Sequence, residues 1–329
     1  MSAVLALILV ACGTDQADPL PAPGDGQEPA AAHTEDARAE ASDEVLTIVA
    51  STTVLADLTE QVAGRVAEVV SIVPVGGDPH VHEPTPGDAR LLNDADLVIH
   101  NGVGLEPWLV PLLTRAGVAS IAVADDLGAE LLHEDDGEPD PHLWMAPPYA
   151  QRYLERIAEA VSDLVPDRAA TISEDLATAT TNMEELDAEL AERLSTIPDH
   201  HRKLVTSHDA YAYFARHYDL EVVGTVVGVS TEEEPSARRI GALVDAVREQ
   251  GVPTIFVETT VSPDVIESIA RDAGVEVGDP LYGDSLGPPG SGADDYAGMM
   301  RSNVDALVAG LAVDQAGEAD EDHGPGDGR

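Results

Sequence analysis

Residues 166–198 read PDRAATISEDLATATTNMEELDAELAERLSTIP. Apolar side chains recur at Ile172, Leu176, Ala179, Met183, Leu186, Leu190 and Leu194, a helical spacing unbroken by glycine or proline. Pro166-Asp167 supplies a start signal and Pro198 a stop. The stretch predicts one helix from Asp167 to about Ile197, roughly 45 Å long at about 1.5 Å rise per residue. The same periodicity suits a coiled coil. Its position between two blocks of alternating strands and helices favours a rigid connector between two lobes.

The first block has strands at Val45–Ala50, Val66–Val73, Asp96–His100 and Ala119–Val123. Helices follow at Thr53–Ala63 and Leu105–Ala116, and Pro148–Leu164 closes the block. A further helix starts at Pro86, with Thr85 as its cap and Asp88 three residues beyond. The second block repeats the pattern, with strands Lys203–Ser207, Glu221–Val227, Thr254–Glu258 and Val275–Val277. Its helices are Ala210–Tyr218, Pro235–Gln250, Asp264–Ala273 and the closing Asp294–Leu311. Such alternation predicts an α/β fold of two lobes, each a parallel-type sheet flanked by helices. At 329 residues each lobe is expected to have its own core, over 45–165 and 198–311, with 166–197 as linker.

Both ends differ from this. Residues 1–12 are a short apolar run ending Leu9-Val10-Ala11-Cys12, too short to span a bilayer and typical of a signal peptide. The last four resemble the bacterial lipobox, which implies lipid attachment at Cys12, the only cysteine. No basic residue precedes the run, so the true start codon is left open. Residues 13–44 and 312–329 are acidic and poor in bulky apolar residues, as expected of a disordered tether and tail. Overall, 17 basic residues face 62 acidic ones, a net charge of −45. That balance opposes nucleic-acid binding and attraction to an anionic bilayer.

The chemistry is carried by histidine. Gly76–Pro86 reads Gly-Gly-Asp-Pro-His-Val-His-Glu-Pro-Thr-Pro, and a second Asp-Pro-His stands at Asp140-Pro141-His142. Proline fixes the backbone ahead of each imidazole, as suits a ligand held in place before its ion arrives. In parallel sheets, ligands bind beyond the carboxyl ends of the strands. By that rule His80, His208 after the strand Lys203–Ser207, and Asp284 in the loop after the last strand share one cleft with His142. Three neutral imidazoles and a carboxylate suit tetrahedral zinc and also accept manganese. Asp78, Asp140, His100 and Glu258 are candidates to orient these ligands. His82 is expected to diverge from His80, and His133 to lie in an acidic surface loop. His200 and His201 read as a surface pair, and His217 sits near a helix C-terminus.

These stretches, with Ala-Asp-Leu-Val-Ile-His-Asn-Gly-Val-Gly-Leu-Glu-Pro-Trp, Ser-His-Asp-Ala-Tyr-Ala-Tyr-Phe-Ala, Thr-Glu-Glu-Glu-Pro-Ser and Leu-Tyr-Gly-Asp-Ser-Leu, run in order from about Thr47 to Leu311. Together they resemble the zinc- and manganese-binding solute-binding lipoproteins of bacterial metal ABC transporters. The resemblance implies two lobes joined by a long helix, with metal at their interface held by His80, His142, His208 and Asp284. It implies a lipid-anchored receptor outside the cytoplasmic membrane, with a membrane permease and its cytoplasmic ATPase as partners, expected to act as a monomer. His208 stands where manganese members often carry glutamate, which favours Zn²⁺, with Mn²⁺ the alternative. The acidic loop holding His133 replaces the histidine-rich loop of many zinc members, and His82 replaces an aromatic residue. The sequence does not read as an enzyme. A secreted zinc hydrolase would need an open metal position and a general base, and no His-Glu-x-x-His motif supplies one. A surface adhesin or metal buffer is the other alternative.

Overall fold

The strand Leu46–Ala50 (β1) runs down the middle of a four-stranded parallel sheet. It pairs on one side with Ala67–Ser71 (β2) and on the other with Leu97–His100 (β3), and Ser120–Ala122 (β4) adds an edge. The computed structural model describes residues 45–125, 127, 131–133, 137–232 and 235–312. Cys12, both termini and His33 and His323 lie outside them.

Helix α1, Thr53–Ala63, matches its expected bounds and buries Val54, Leu55, Leu58 and Val62 against this sheet. Helix α2, Pro86–Asp94, begins with the expected capping box: Thr85 accepts the Asp88 N–H, and Asp88 accepts the Thr85 N–H. Helix α3 spans only Val110–Ala116, shorter than the expected Leu105–Ala116. Pro111 explains the difference, because it has no N–H to give the carbonyl four residues back and so belongs in a first turn. Helix α4, Pro147–Leu164, closes the lobe.

The long helix α5 covers Ala169–Leu194, about 39 Å at about 1.5 Å per residue, after a 3₁₀ turn at Pro166–Arg168. Its buried residues are those of the sequence stripe except Ala-flanked Leu176, which is partly buried. Beyond it, Lys203–Thr206 (β5) pairs in parallel with Glu221–Thr225 (β6), and Thr254–Ile255 (β7) with Glu276–Val277 (β8). The Phe256 N–H donates to the Val205 carbonyl at 2.9 Å and joins the two pairs. The expected strand Thr254–Glu258 is split: pairing stops after β8 and resumes only at a Glu258–Leu281 bridge. Pro280 lies in the gap and cannot donate to a ladder. Helices Ala212–Tyr218 (α6), Ala237–Gln250 (α7), Asp264–Ala273 (α8) and Tyr296–Leu311 (α9) complete the fold.

The lobes do not have separate cores. One buried cluster runs from Ile48 and Leu58 through Leu186 and Leu190 of α5 to Leu307 and Leu311 of α9. Two smaller clusters sit outside it, one between β5, α7 and α8 and one beneath α2 and α3. The reason is the position of α5, whose apolar face packs against elements of both lobes. Surface ion pairs follow the same line: Arg65 reaches Asp175 at 2.8 Å, and Arg301 reaches Glu189 at 2.9 Å.

Candidate metal centre

His80, His142, His208 and Asp284 come together from four separate loops, each buried to within 4% of full burial. One ligand atom from each lies within 4.8 Å of the others. The Asp284 carboxylate is central. Its Oδ1 is 3.4 Å from His142 Nε2, and its Oδ2 is 3.2 Å from His208 Nε2 and 3.9 Å from His80 Nε2. His80 and His142 bring their Nε2 atoms to 3.3 Å. A tetrahedral ion with bonds of about 2.0–2.1 Å needs donors about 3.3–3.4 Å apart, close to these separations.

The two Asp-Pro-His motifs are used differently. Asp140 Oδ1 accepts the His142 backbone N–H at 2.9 Å and lies 2.8 Å from its Nδ1. Asp78 Oδ1 accepts the His80 N–H at 2.8 Å but sends its other oxygen to the Thr231 hydroxyl, at 2.6 Å. Glu258 flanks His208 with both oxygens: Oε1 accepts the backbone N–H at 2.8 Å, and Oε2 stands 2.6 Å from Nδ1 as an ion-pair contact outside hydrogen-bond geometry. A proton kept on Nδ1 by a carboxylate leaves the Nε2 lone pair for a metal. Gly283 leaves room for this arrangement, since a Cβ would come within 2.9 Å of Glu258 Oε2 and push the carboxylate away.

Charge is divided unevenly. Burial pushes His80 down to about 3, with His142 and His208 adding to the effect and Asp284 opposing it. Burial also opposes charge on His142, but its hydrogen bonds to Asp140 and Asp284 outweigh that and push it up to about 9. His208 is raised well above its ordinary value: burial is overcome by the charges of Glu258 and Asp284. Asp284 is held well below the usual carboxylate range, its burial offset by His208 and His142. Apart from the imidazoles that face them, its oxygens have no hydrogen-bond partner. A buried carboxylate needs compensating positive charge, and four converging donors can share one cation, so the donor set fits a divalent ion.

Three carbonyls just ahead of site residues are also held by side chains. Trp108 Nε1 donates to Pro79 at 2.7 Å, Asn101 Nδ2 to Pro141 at 3.0 Å, and Trp144 Nε1 to Gly283 at 3.1 Å. Sequence reasoning gave these residues no role. A signal existed, for the chain has only two tryptophans, one ending the quoted Leu-Glu-Pro-Trp stretch and the other two residues past His142. Asn101 is itself fixed by the Tyr153 hydroxyl, and its N–H donates to buried Glu106.

Chain position alone predicted other residues less well. Asp78, Asp140 and Glu258 all touch a ligand residue, but His100 does not; the charge acting on it is Asp125. His82 packs on the Trp108 ring and faces Asp88 at 3.1 Å. His133 Nδ1 lies 3.0 Å from the Leu131 carbonyl. The expected surface pair is half right. His200 is exposed, whereas His201 is buried with Nδ1 3.0 Å from the Leu311 carbonyl at the end of α9. His217 pairs with Asp187 of α5 at 2.8 Å.

The family described as ZnuA, zinc-uptake complex component A, periplasmic, matches residues 48–310. The chain belongs to this family. It is similar to the manganese-binding lipoprotein MntA of Halalkalibacterium halodurans, 36% identical over 270 residues, 82% of this chain and 89% of that one. The metal ABC transporter substrate-binding lipoprotein SsaB of Streptococcus sanguinis is 31% identical over 277 residues, 81% of this chain and 89% of its own. Among solved structures, the periplasmic zinc-binding protein TroA of Treponema pallidum superposes with a TM-score of 0.79 at 27% identity. That match covers 82% of this chain and all of TroA. Members of the family thus carry names for both zinc and manganese. Among the described residues, no helix is long and apolar enough to cross a membrane.

Proposed function

We propose that the chain is the extracytoplasmic receptor of a metal-ion ABC importer. It takes up a divalent cation between its lobes, on His80, His142, His208 and Asp284, and delivers it to a membrane permease driven by a cytoplasmic ATPase. Zn²⁺ is the favoured cargo, because three imidazoles and one carboxylate form a nitrogen-rich set. Mn²⁺ is the second reading, favoured by the 36% identity to a manganese-binding lipoprotein. The chain acts as a monomer tethered through a lipid on Cys12, with lobes at 45–165 and 198–311 joined by the linker 166–197.

The observation that carries this reading is Asp284: fully buried, with no partner but the three imidazole nitrogens that converge on it. Four protein donors around one point leave no place for a reacting water, which suits capture better than hydrolysis. Metal analysis of protein purified without added metal, followed by competition titration of zinc against manganese, tests the cargo. His142→Ala is expected to lower affinity at least about 100-fold while the fold is retained. An unchanged affinity would overturn the ligand assignment.

A further inference from the structure

An ion cannot reach four residues this deeply buried unless a covering segment moves. The core shared along α5 restrains the lobes from swinging as separate bodies. Attention therefore falls on the loops over the cleft, and Gly228–Glu232, between β6 and α7, is fastened beside two site residues. At one end the Gly228 carbonyl accepts the N–H of Asp209, the neighbour of His208, at 3.2 Å. At the other, the Thr231 hydroxyl donates to Asp78 Oδ2 at 2.6 Å, while Oδ1 seats the His80 N–H. Between these points the loop has no strand or helix pairing, and Ser230 braces it by accepting the Glu232 N–H at 3.3 Å.

Most other links across the cleft use main chain, and the side-chain pair Thr53–Ser285, at 3.4 Å, is buried. Trp144 to Gly283, Gly76 N–H to Ser285 Oγ, and Leu286 N–H to Thr53 Oγ1 each engage main chain, two of the three with fully buried partners. The Thr231–Asp78 bond joins two side chains and is only partly buried. Water can replace it when the loop lifts, which the buried main-chain links do not allow. We infer that Thr231 is a positioning residue acting through Asp78: its hydroxyl latches the Gly228–Glu232 loop to the His80 turn and sets how fast the ion enters and leaves. This rests on the metal-binding reading above.

The test is chelator-driven release of zinc from the full-length protein, followed by stopped flow, for wild type, Thr231→Val, Thr231→Ala and Thr231→Ser. Valine keeps the shape and removes the donor, alanine removes it with less volume, and serine retains it. Release is expected to quicken about tenfold or more in the valine and alanine variants and to stay near wild type in serine. Entry should quicken with it, which loss of ligand strength alone would not cause. Valine and alanine variants releasing at the wild-type rate, or serine releasing as fast as they do, would overturn the latch. A wild-type protein that takes up neither zinc nor manganese at equilibrium would instead remove the metal-binding reading, and the latch with it.

Discussion

Trp144 reaches across the cleft and donates its indole N–H to the carbonyl of Gly283, the residue before Asp284, at 3.1 Å. Its ring also lies edge-on to His142, with centroids 5.2 Å apart. One side chain thus touches a ligand of one lobe and the residue before a ligand of the other. Trp144→Phe keeps most of the packing and loses the hydrogen bond. Metal affinity is expected to fall about tenfold, measured by competition titration, and the wild-type protein's tryptophan emission should change on metal binding. Equal affinities for variant and wild type would show that Asp284 needs no such support.

Proton release should accompany metal uptake. An incoming ion meets His142 with a value raised to about 9 and His208 also raised well above its ordinary value, so at neutral pH protons on their metal-facing nitrogens must leave. His80, held near 3, has none to give. Affinity should therefore rise with pH through neutrality and fall on acidification. Calorimetry of zinc binding in buffers of different ionisation heat reads the number released, and buffer-independent heats would refute the expectation.

Glu106 links the Ser51 hydroxyl to the N–H groups of Asn101 and Gly102, fully buried. Burial is the main cause of its rise from 4.5 to about 6, partly offset by those hydrogen bonds. A raised carboxylate favours the proton in the folded state. Its stabilising contribution is therefore present below about pH 4.5 and is lost as pH rises through about 6, a change of about 2 kcal/mol. Urea unfolding of wild type and Glu106→Gln at pH 4, 5, 6 and 7 isolates this term. The stability difference should move against wild type as pH rises; a constant difference would contradict it.

The shared core makes a mechanical prediction. Leu190 of α5 is fully buried within the cluster that joins both lobes. Leu190→Ala should cost about 2–5 kcal/mol and leave unfolding as one cooperative transition, as in wild type. Two resolved transitions in calorimetry would mean that the lobes hold themselves together separately.

Much of this arrangement was legible in the chain. The stripe from Ile172 to Leu194 specified α5, and the Thr85–Asp88 signature specified the start of α2, because both depend on local spacing. The strand-end rule brought His80, His208 and Asp284 to one place. It failed for His100 because side chains alternate along a strand: the next residue, Asn101, takes the inward position and holds the Pro141 carbonyl. The common core was hidden because a helix's apolar stripe does not state how many partners it covers. Thr231 and Asp78 lie too far apart in sequence for any local pattern to pair them.

The unbroken core has an evolutionary consequence. Where one scaffold block supports all four ligand loops, a change in a loop need not be matched by retuning a hinge. Position 208 can exchange imidazole for carboxylate, with Glu258 adjusted beside it, while α5 and its packing stay as they are. Preference for one ion over another could then shift by single substitutions at the loops without rebuilding the scaffold.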